Sequence, residues 1–213
     1  MLSADLFDDG REIALGPGAV LLRGFALPAA AALVAEVRRA AAAAPFRQMM
    51  TPGGFRMSVA MTNCGAAGWT TDRKGYRYSA VDPKSGDPWP ALPSAIWELA
   101  VQAAAAAGFA GFAPDACLIN RYVRGSRMSL HQDRNERNLD APIVSVSLGL
   151  PATFLFGGPK RSDRPLRVHV SHGDVAVWGG AARLFFHGVA PLADGSHAML
   201  GRERINLTLR QAL

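Results

Sequence analysis

Cysteine is scarce in this chain: Cys64 and Cys117 are the only two. They form no CxxC pair and cannot supply a disulfide framework, so a reducing compartment is the simpler expectation. Long apolar runs are missing too, and none approaches the roughly 18 residues of a membrane span. The opening "MLSADLFDDGREIAL" has neither the basic nor the apolar segment of a secretory leader. There are no internal repeats, and the alanine runs, the only low-complexity tracts, read as helix. These absences leave a soluble, cytoplasmic protein with no membrane partner as the expectation. Its 213 residues suffice for one domain with a sizeable core.

Acidic residues are also short in supply, which gives a net charge of +6. The imbalance is local: residues 111–213 carry thirteen Lys/Arg against eight Asp/Glu, whereas residues 1–110 carry ten against nine. Such a balance fits either a phosphate-bearing partner or plain solubility.

The first half mixes elements. "GAVLLRGF" reads as a strand, and "LPAAAALVAEVRRAAAA" as a helix with Pro28 near its first turn. "SAIWELAVQAAAAAG" reads as a second helix between Ser94 and Gly108. Residues 46–80 are rich in Gly, Thr, Met and aromatics, with turns at "TPGG" and "CGAAG", and predict hairpins and loops. From residue 114 short strands follow one another through "ACLINRYV", "IVSVSLGL", "ATFLFGG", "DVAVWGG" and "RINLTLRQ". That texture predicts an antiparallel sandwich or barrel.

Within this β-rich part, His131 and Asp133 of "HQD" lie two apart and predict side chains on one face. His187 comes 54 residues after Asp133 on another strand-like segment. Two imidazoles and a carboxylate make the facial triad of a non-haem Fe(II) site, with positions left open for O2 and substrate. His169 reads as solvent-facing, His172 as structural and His197 as a loop residue. In "RINLTLR", Ile205, Leu207 and Leu209 alternate with Arg204, Asn206, Thr208 and Arg210. An inward guanidinium is costly to desolvate unless it is paired, and Arg suits bidentate carboxylate recognition. Two such groups facing an iron site point to a 2-oxo dicarboxylate, 2-oxoglutarate. Asn120 and Tyr122 of "LINRYV" alternate onto one face and offer it further donors.

HxD, a distal His and RxNxTxR together resemble the metal and cosubstrate motifs of the AlkB alkylation-repair dioxygenases. The resemblance extends over nearly the whole chain, including "PFRQMMTPGGFRMSVAMTNCG", "GWTT", "DPWPALP", "PDACLINRY" and "GDVAVWGG". It implies an α+β, mainly β, fold: a double-stranded β-helix (jelly-roll) core over residues 114–213. Residues 1–113 would be an N-terminal extension with supporting helices and a nucleotide-recognition lid at about 46–80. It implies iron on His131, Asp133 and His187, and 2-oxoglutarate on Asn120, Tyr122, Arg204, Asn206 and Arg210. Arg204 would take the distal carboxylate. In the lid, Trp69 would stack on the damaged base, Tyr76, Arg77 and Tyr78 would grip the backbone, and Thr51, Met61 and Arg161 would approach the substrate.

The implied activity is oxidative demethylation of N1-methyladenine- and N3-methylcytosine-type bases with release of formaldehyde. The implied partner is single- or double-stranded alkylated DNA, or RNA, handled by a monomer. The residues agree with this in kind, because an enzyme acting on a base must extract it and hold it between flat or apolar groups. Trp69, Tyr76, Tyr78, Met57 and Met61 are such groups. Two alternatives stay open: an oxygenase hydroxylating a protein or small molecule, and a lesion-binding protein without turnover. Trp178 fits both a shield for the metal pocket and a plain core residue. Asn135 departs from the resemblance, which leads one to expect an acid near the exocyclic amine of the base.

Overall fold

The computed structural model describes residues 12–213. The stretch 1–11, on which part of the leader expectation rests, lies outside the described residues. The strands are β1 (Glu12–Gly16), β2 (Ala19–Leu22), β3 (Ala60–Gly65), β4 (Gly68–Asp72), β5 (Gly75–Ser79), β6 (Ala116–Tyr122) and β7 (Met128–His131). They continue with β8 (Ile143–Gly149), β9 (Ala152–Phe156), β10 (Leu166–Val170), β11 (Val175–Trp178), β12 (His187–Val189) and β13 (Arg204–Arg210). Among the described residues there are two α-helices, α1 (Ala30–Ala43) and α2 (Ser94–Ala106), and two short 3-10 turns at Leu27–Ala29 and Gly180–Ala182.

Two antiparallel sheets make a jelly roll. The larger has the order β1-β2-β11-β8-β13-β6-β3, the smaller β10-β9-β12-β7, and β4-β5 stand apart as a hairpin. Strand alternation supplies two cores. One face of the large sheet, with Val144, Val146, Ile205, Leu207 and Leu209, packs on apolar residues of the helices such as Leu33, Val37, Ile96 and Leu99. Between the sheets, Tyr122, Ile143, Phe154, Phe156, Val168 and Trp178 form the second core. The whole of β13 is therefore buried, although only every other residue is apolar.

The N-terminal half is built into this sandwich. β2 pairs with β11, and β3 pairs with β6 from Ala60↔Arg121 to Gly65↔Ala116, so a boundary at residue 113 crosses one continuous sheet. The proposed lid segment is likewise divided: β3 belongs to the large sheet, and the parts on either side of it are hairpins. Cys64 and Cys117 are unlinked, buried register partners. Among the described residues no helix is long and apolar enough to cross a membrane.

The hairpin β4-β5 is anchored from below. Asn63 Nδ2 donates to the Trp69 carbonyl at 3.1 Å, and Trp69 N donates back to Asn63 Oδ1 at 3.0 Å. Gly68 lets Trp89 approach so closely that a β-carbon there would fall 2.5 Å from the indole. Trp89 Nε1 in turn donates to the Ser79 carbonyl at 2.9 Å. The aromatic hairpin is thereby fixed to the sheet that carries the site.

Candidate active site

β7 ends on His131, and β12 begins on His187 directly across from it. The two imidazole centroids are 4.4 Å apart. Asp133 lies just past the end of β7, in the loop, and turns its carboxylate between the rings: Oδ1 is 3.8 Å from His131 Nε2, and Oδ2 is 3.6 Å from His187 Nε2. All three ligand atoms lie within 4.8 Å of one another, close enough to share one ion. Each Nδ1 faces a carbonyl, Ser129 O at 2.9 Å for His131 and Phe185 O at 3.0 Å for His187. A carbonyl can only accept, so Nδ1 carries the proton and the Nε2 lone pairs point at the centre. This is the orientation a metal-binding histidine needs.

Charge is set by the surroundings. Burial would raise the Asp133 carboxyl, but Arg210 and the two imidazoles outweigh it and hold the group well below the usual carboxylate range. Burial, followed by the neighbouring His187, pulls His131 down to about 4, which keeps the ring neutral. Arg210 donates to Asp133 Oδ2 from Nη2 at 2.7 Å and from Nε at 3.0 Å. Its Nη1 reaches the Tyr78 hydroxyl at 3.3 Å, and Nε lies 3.4 Å from Glu136 Oε1.

Behind Asp133 are two residues whose role has no signal in the sequence pattern. Arg183 donates to the Asp133 carbonyl at 2.7 Å, to the Ala141 carbonyl at 2.9 Å and to Glu136 Oε2 at 3.1 Å. Glu136 also accepts from Tyr78 at 2.7 Å. Both Arg183 and Glu136 are buried; Arg183 is compensated by Glu136, which Arg210 also approaches.

The alternating residues of β13 face the same cavity. Arg204 and Asn206 lie opposite Tyr122 and Asn120 in the register with β6. Arg204 Nη2 donates to Ser147 Oγ at 3.0 Å, and its guanidinium carbon sits 4.9 Å above the Tyr122 ring. Its Nε and Nη1, though buried, have no partner among the described residues, and neither has Asn120 Oδ1. Asn206 Nδ2 is held by Ser145 Oγ at 2.8 Å and Val146 O at 3.0 Å. Arg204 thus keeps two donors for an anion, while Arg210 is engaged by carboxylates of the protein itself.

The cavity has a volume of about 890 Å³ and runs from Arg204 past the His-Asp-His cluster to an open mouth. Trp69, Tyr76, Met61, Asn135 and Arg161 line it, together with Arg56, Arg127 and Arg134. Trp69 and Tyr76 stack at 5.5 Å. The indole Nε1 of Trp69 reaches Asn135 Oδ1 at 3.5 Å. Trp178 lines the cavity 4.8 Å from the His187 ring and is also a core residue, so both readings of it meet in one side chain. Three of the expected substrate residues lie elsewhere. Thr51 caps a turn, Arg77 is paired with Asp72 at 2.7 Å, and Tyr78 is tied beneath the hairpin to Glu136.

A jelly roll holding two imidazoles and a carboxylate beside a buried, half-paired arginine defines a class. The chain matches the 2OG-Fe(II) oxygenase superfamily over residues 18–210. That class uses Fe(II), 2-oxoglutarate and O2, and the residues present fit the first two: neutral Nε2 donors with an ionised carboxylate for the metal, and two unpartnered Arg204 N–H groups for a carboxylate. Within the class, the chain belongs to the AlkB family of alpha-ketoglutarate-dependent dioxygenases. It is 58% identical to alpha-ketoglutarate-dependent dioxygenase AlkB of Salmonella typhimurium, over 98% of this chain and 97% of that protein. It is 38% identical to nucleic acid dioxygenase ALKBH1 of Mus musculus, over 60% of this chain and 33% of that one. Among solved structures, OsALKBH1 superposes with a TM-score of 0.79 at 28% identity, covering 94% of this chain and 99% of that one.

Proposed function

We propose that this dioxygenase removes N-methyl groups from N1-methyladenine- and N3-methylcytosine-type bases in DNA, and in RNA of the same lesion chemistry, with release of formaldehyde. One observation carries the reading: a single cavity joins the His131–Asp133–His187 cluster to an aromatic mouth lined by four arginines. The name of the mouse relative, a nucleic acid dioxygenase, points to the same class of substrate.

His131, Asp133 and His187 would hold the iron, and Arg204, with Tyr122 and Asn120 beside it, the far carboxylate of 2-oxoglutarate. When bound, the metal would activate O2 and the cosubstrate would supply two electrons as it loses CO2 to become succinate; the other oxygen atom would hydroxylate an N-methyl carbon, and the resulting N-hydroxymethyl adduct would lose formaldehyde. The protein's own work is placement. Trp69 offers a flat face to an extruded base, at a site where extraction costs a few kcal/mol. Arg56, Arg127, Arg134 and Arg161 offer positive charge to the phosphates. Phe154, Trp178 and Met61 keep the inner end of the cavity apolar. No general base is assigned, because the chemistry requires none.

The test is aerobic incubation with Fe(II), 2-oxoglutarate and a panel of methylated oligonucleotides, read by mass spectrometry. Loss of one methyl per event, matched by succinate, is the expected result. Cosubstrate turnover without methyl loss from any member would overturn the substrate assignment and favour a protein or small-molecule hydroxylase.

A further inference from the structure

Phe55 directly follows the turn at residues 52–54 in the first part of the lid segment, and at 77% exposure it is the most exposed large apolar side chain among the described residues. The turn is well closed. Thr51 N donates to Phe55 O at 2.8 Å, Gly54 N to Thr51 O at 2.9 Å, and Phe55 N to Thr51 Oγ1 at 3.1 Å. Gly54 takes the left-handed conformation, φ +81°, that this reversal needs. One side of the Phe55 ring rests near Gly53, where a β-carbon would sit 3.5 Å from Cδ2. The rest of the ring is open to solvent.

The placement of that ring is what makes it informative. Phe55 lines the mouth of the active-site cavity beside its neighbour Arg56 and beside Arg127. Ser58 Oγ donates to Arg127 O at 3.0 Å and accepts from Arg127 N at 3.0 Å. The strand leaving the turn is therefore tied to the segment that leads into β7 and His131. Among the described residues the ring is not part of either core, and the only carboxylate lining the cavity is the buried Asp133. A flat apolar face at a cavity mouth that Arg56 and Arg127 also line suits a nucleobase with its flanking phosphates, because every base has a π-face and stacking on aromatics tolerates any sequence.

We propose that Phe55 is a second stacking platform, which takes the face of the base next to the extruded one while Arg56 and Arg127 meet the phosphates flanking it. The inference rests on the nucleic-acid reading above and deepens it: the enzyme holds two consecutive nucleotides, the methylated one against Trp69 inside and its neighbour against Phe55 outside. A mononucleotide would use only the first of these contacts.

Methylated pentanucleotides carrying 2-aminopurine on the 5′ or the 3′ side of the lesion test this, with Fe(II) and 2-oxoglutarate present and O2 excluded. Wild-type protein is expected to quench 2-aminopurine on one flank. Phe55→Leu, which keeps apolar bulk without a π-face, is expected to lose that quenching, and Phe55→Trp to restore it. In aerobic turnover, kcat/KM of Phe55→Leu on the pentanucleotide is expected to fall about tenfold further than on the methylated mononucleotide. Methyl removal by wild type with no quenching on either flank, or with equal losses on both substrates, would overturn the Phe55 assignment alone. No methyl removal from any substrate would overturn the underlying reading with it.

Discussion

Arg210 and Asp133 form a two-pronged ion pair in which Nη2 and Nε of the guanidinium both engage Oδ2, at 2.7 and 3.0 Å. The same oxygen lies 3.6 Å from His187 Nε2. The arginine thus aims and ionises a carboxylate that faces the two imidazoles of the candidate metal site. Arg210→Met is expected to weaken Fe(II) or Co(II) binding about 10- to 100-fold, in line with other outer partners of metal ligands. Arg210→Lys, with the charge but not the fork, is expected to fall between. Anaerobic metal titration checks both.

Arg204 has the complementary position, with two donors left over. Arg204→Ala is expected to raise KM for 2-oxoglutarate about 10- to 100-fold, the range for losing charge-assisted hydrogen bonds. Succinate production at varied 2-oxoglutarate concentration measures it. An unchanged KM would remove Arg204 from the cosubstrate site.

Arg183 and Glu136 are a stability matter. Removing one member of a buried pair leaves an uncompensated charge, so Arg183→Met is expected to cost about 3–5 kcal/mol in urea unfolding. Arg183→Met combined with Glu136→Leu is expected to recover part of that loss. A double variant no better than the single would show that the pair is not the source.

Asn135 sits at the cavity with its side-chain oxygen toward Trp69. Asn135→Asp places a negative charge beside a base that is cationic when methylated at N1 of adenine or N3 of cytosine. Activity on those bases is expected to rise about fivefold relative to neutral N-methylated bases, the scale of one partly screened charge interaction. The adenine-to-cytosine ratio is expected to shift as well. Competition assays on mixed oligonucleotides read both quantities.

His131 sets an acid limit. Its folded-state value, pulled by burial and by His187 from 6.5 to about 4, means that the unfolded chain binds more protons between those values. The metal-free protein is therefore expected to lose stability as pH falls through that window and to hold the full contribution above it. The His131 ring resonances are expected to stay those of the neutral form from pH 8 down to about 5.5. An NMR titration with a midpoint near 6.5 would contradict this.

Much of the site is legible along the chain because it lies on strands. The alternation in "RINLTLR" separates a core face from a face of Arg204, Asn206, Thr208 and Arg210, and β13 delivers both faces to buried surroundings. His131 and Asp133 come together for a different reason than a shared strand face, since Asp133 is already in the loop. Arg183 is illegible: nothing in "AARLFF" distinguishes a buried arginine from a surface one, and Glu136 lies 47 residues away. The incorporation of β2 and β3 into the large sheet is hidden likewise, because period-two patterning reports a strand but not its neighbour. The division of labour between Arg204 and Arg210 also depends on pairing across the fold, which spacing alone does not reveal.

β13 lies between β8 and β6 near the middle of the seven-stranded sheet, turns Arg204, Asn206, Thr208 and Arg210 toward the cavity on one side and carries apolar packing on the other. The residues proposed to hold the cosubstrate and a central part of the core consequently share a single ribbon of backbone. Heating should not silence this enzyme piecemeal: its ability to retain 2-oxoglutarate ought to vanish in the same cooperative event that dismantles the sandwich, with no inactive but otherwise intact form in between.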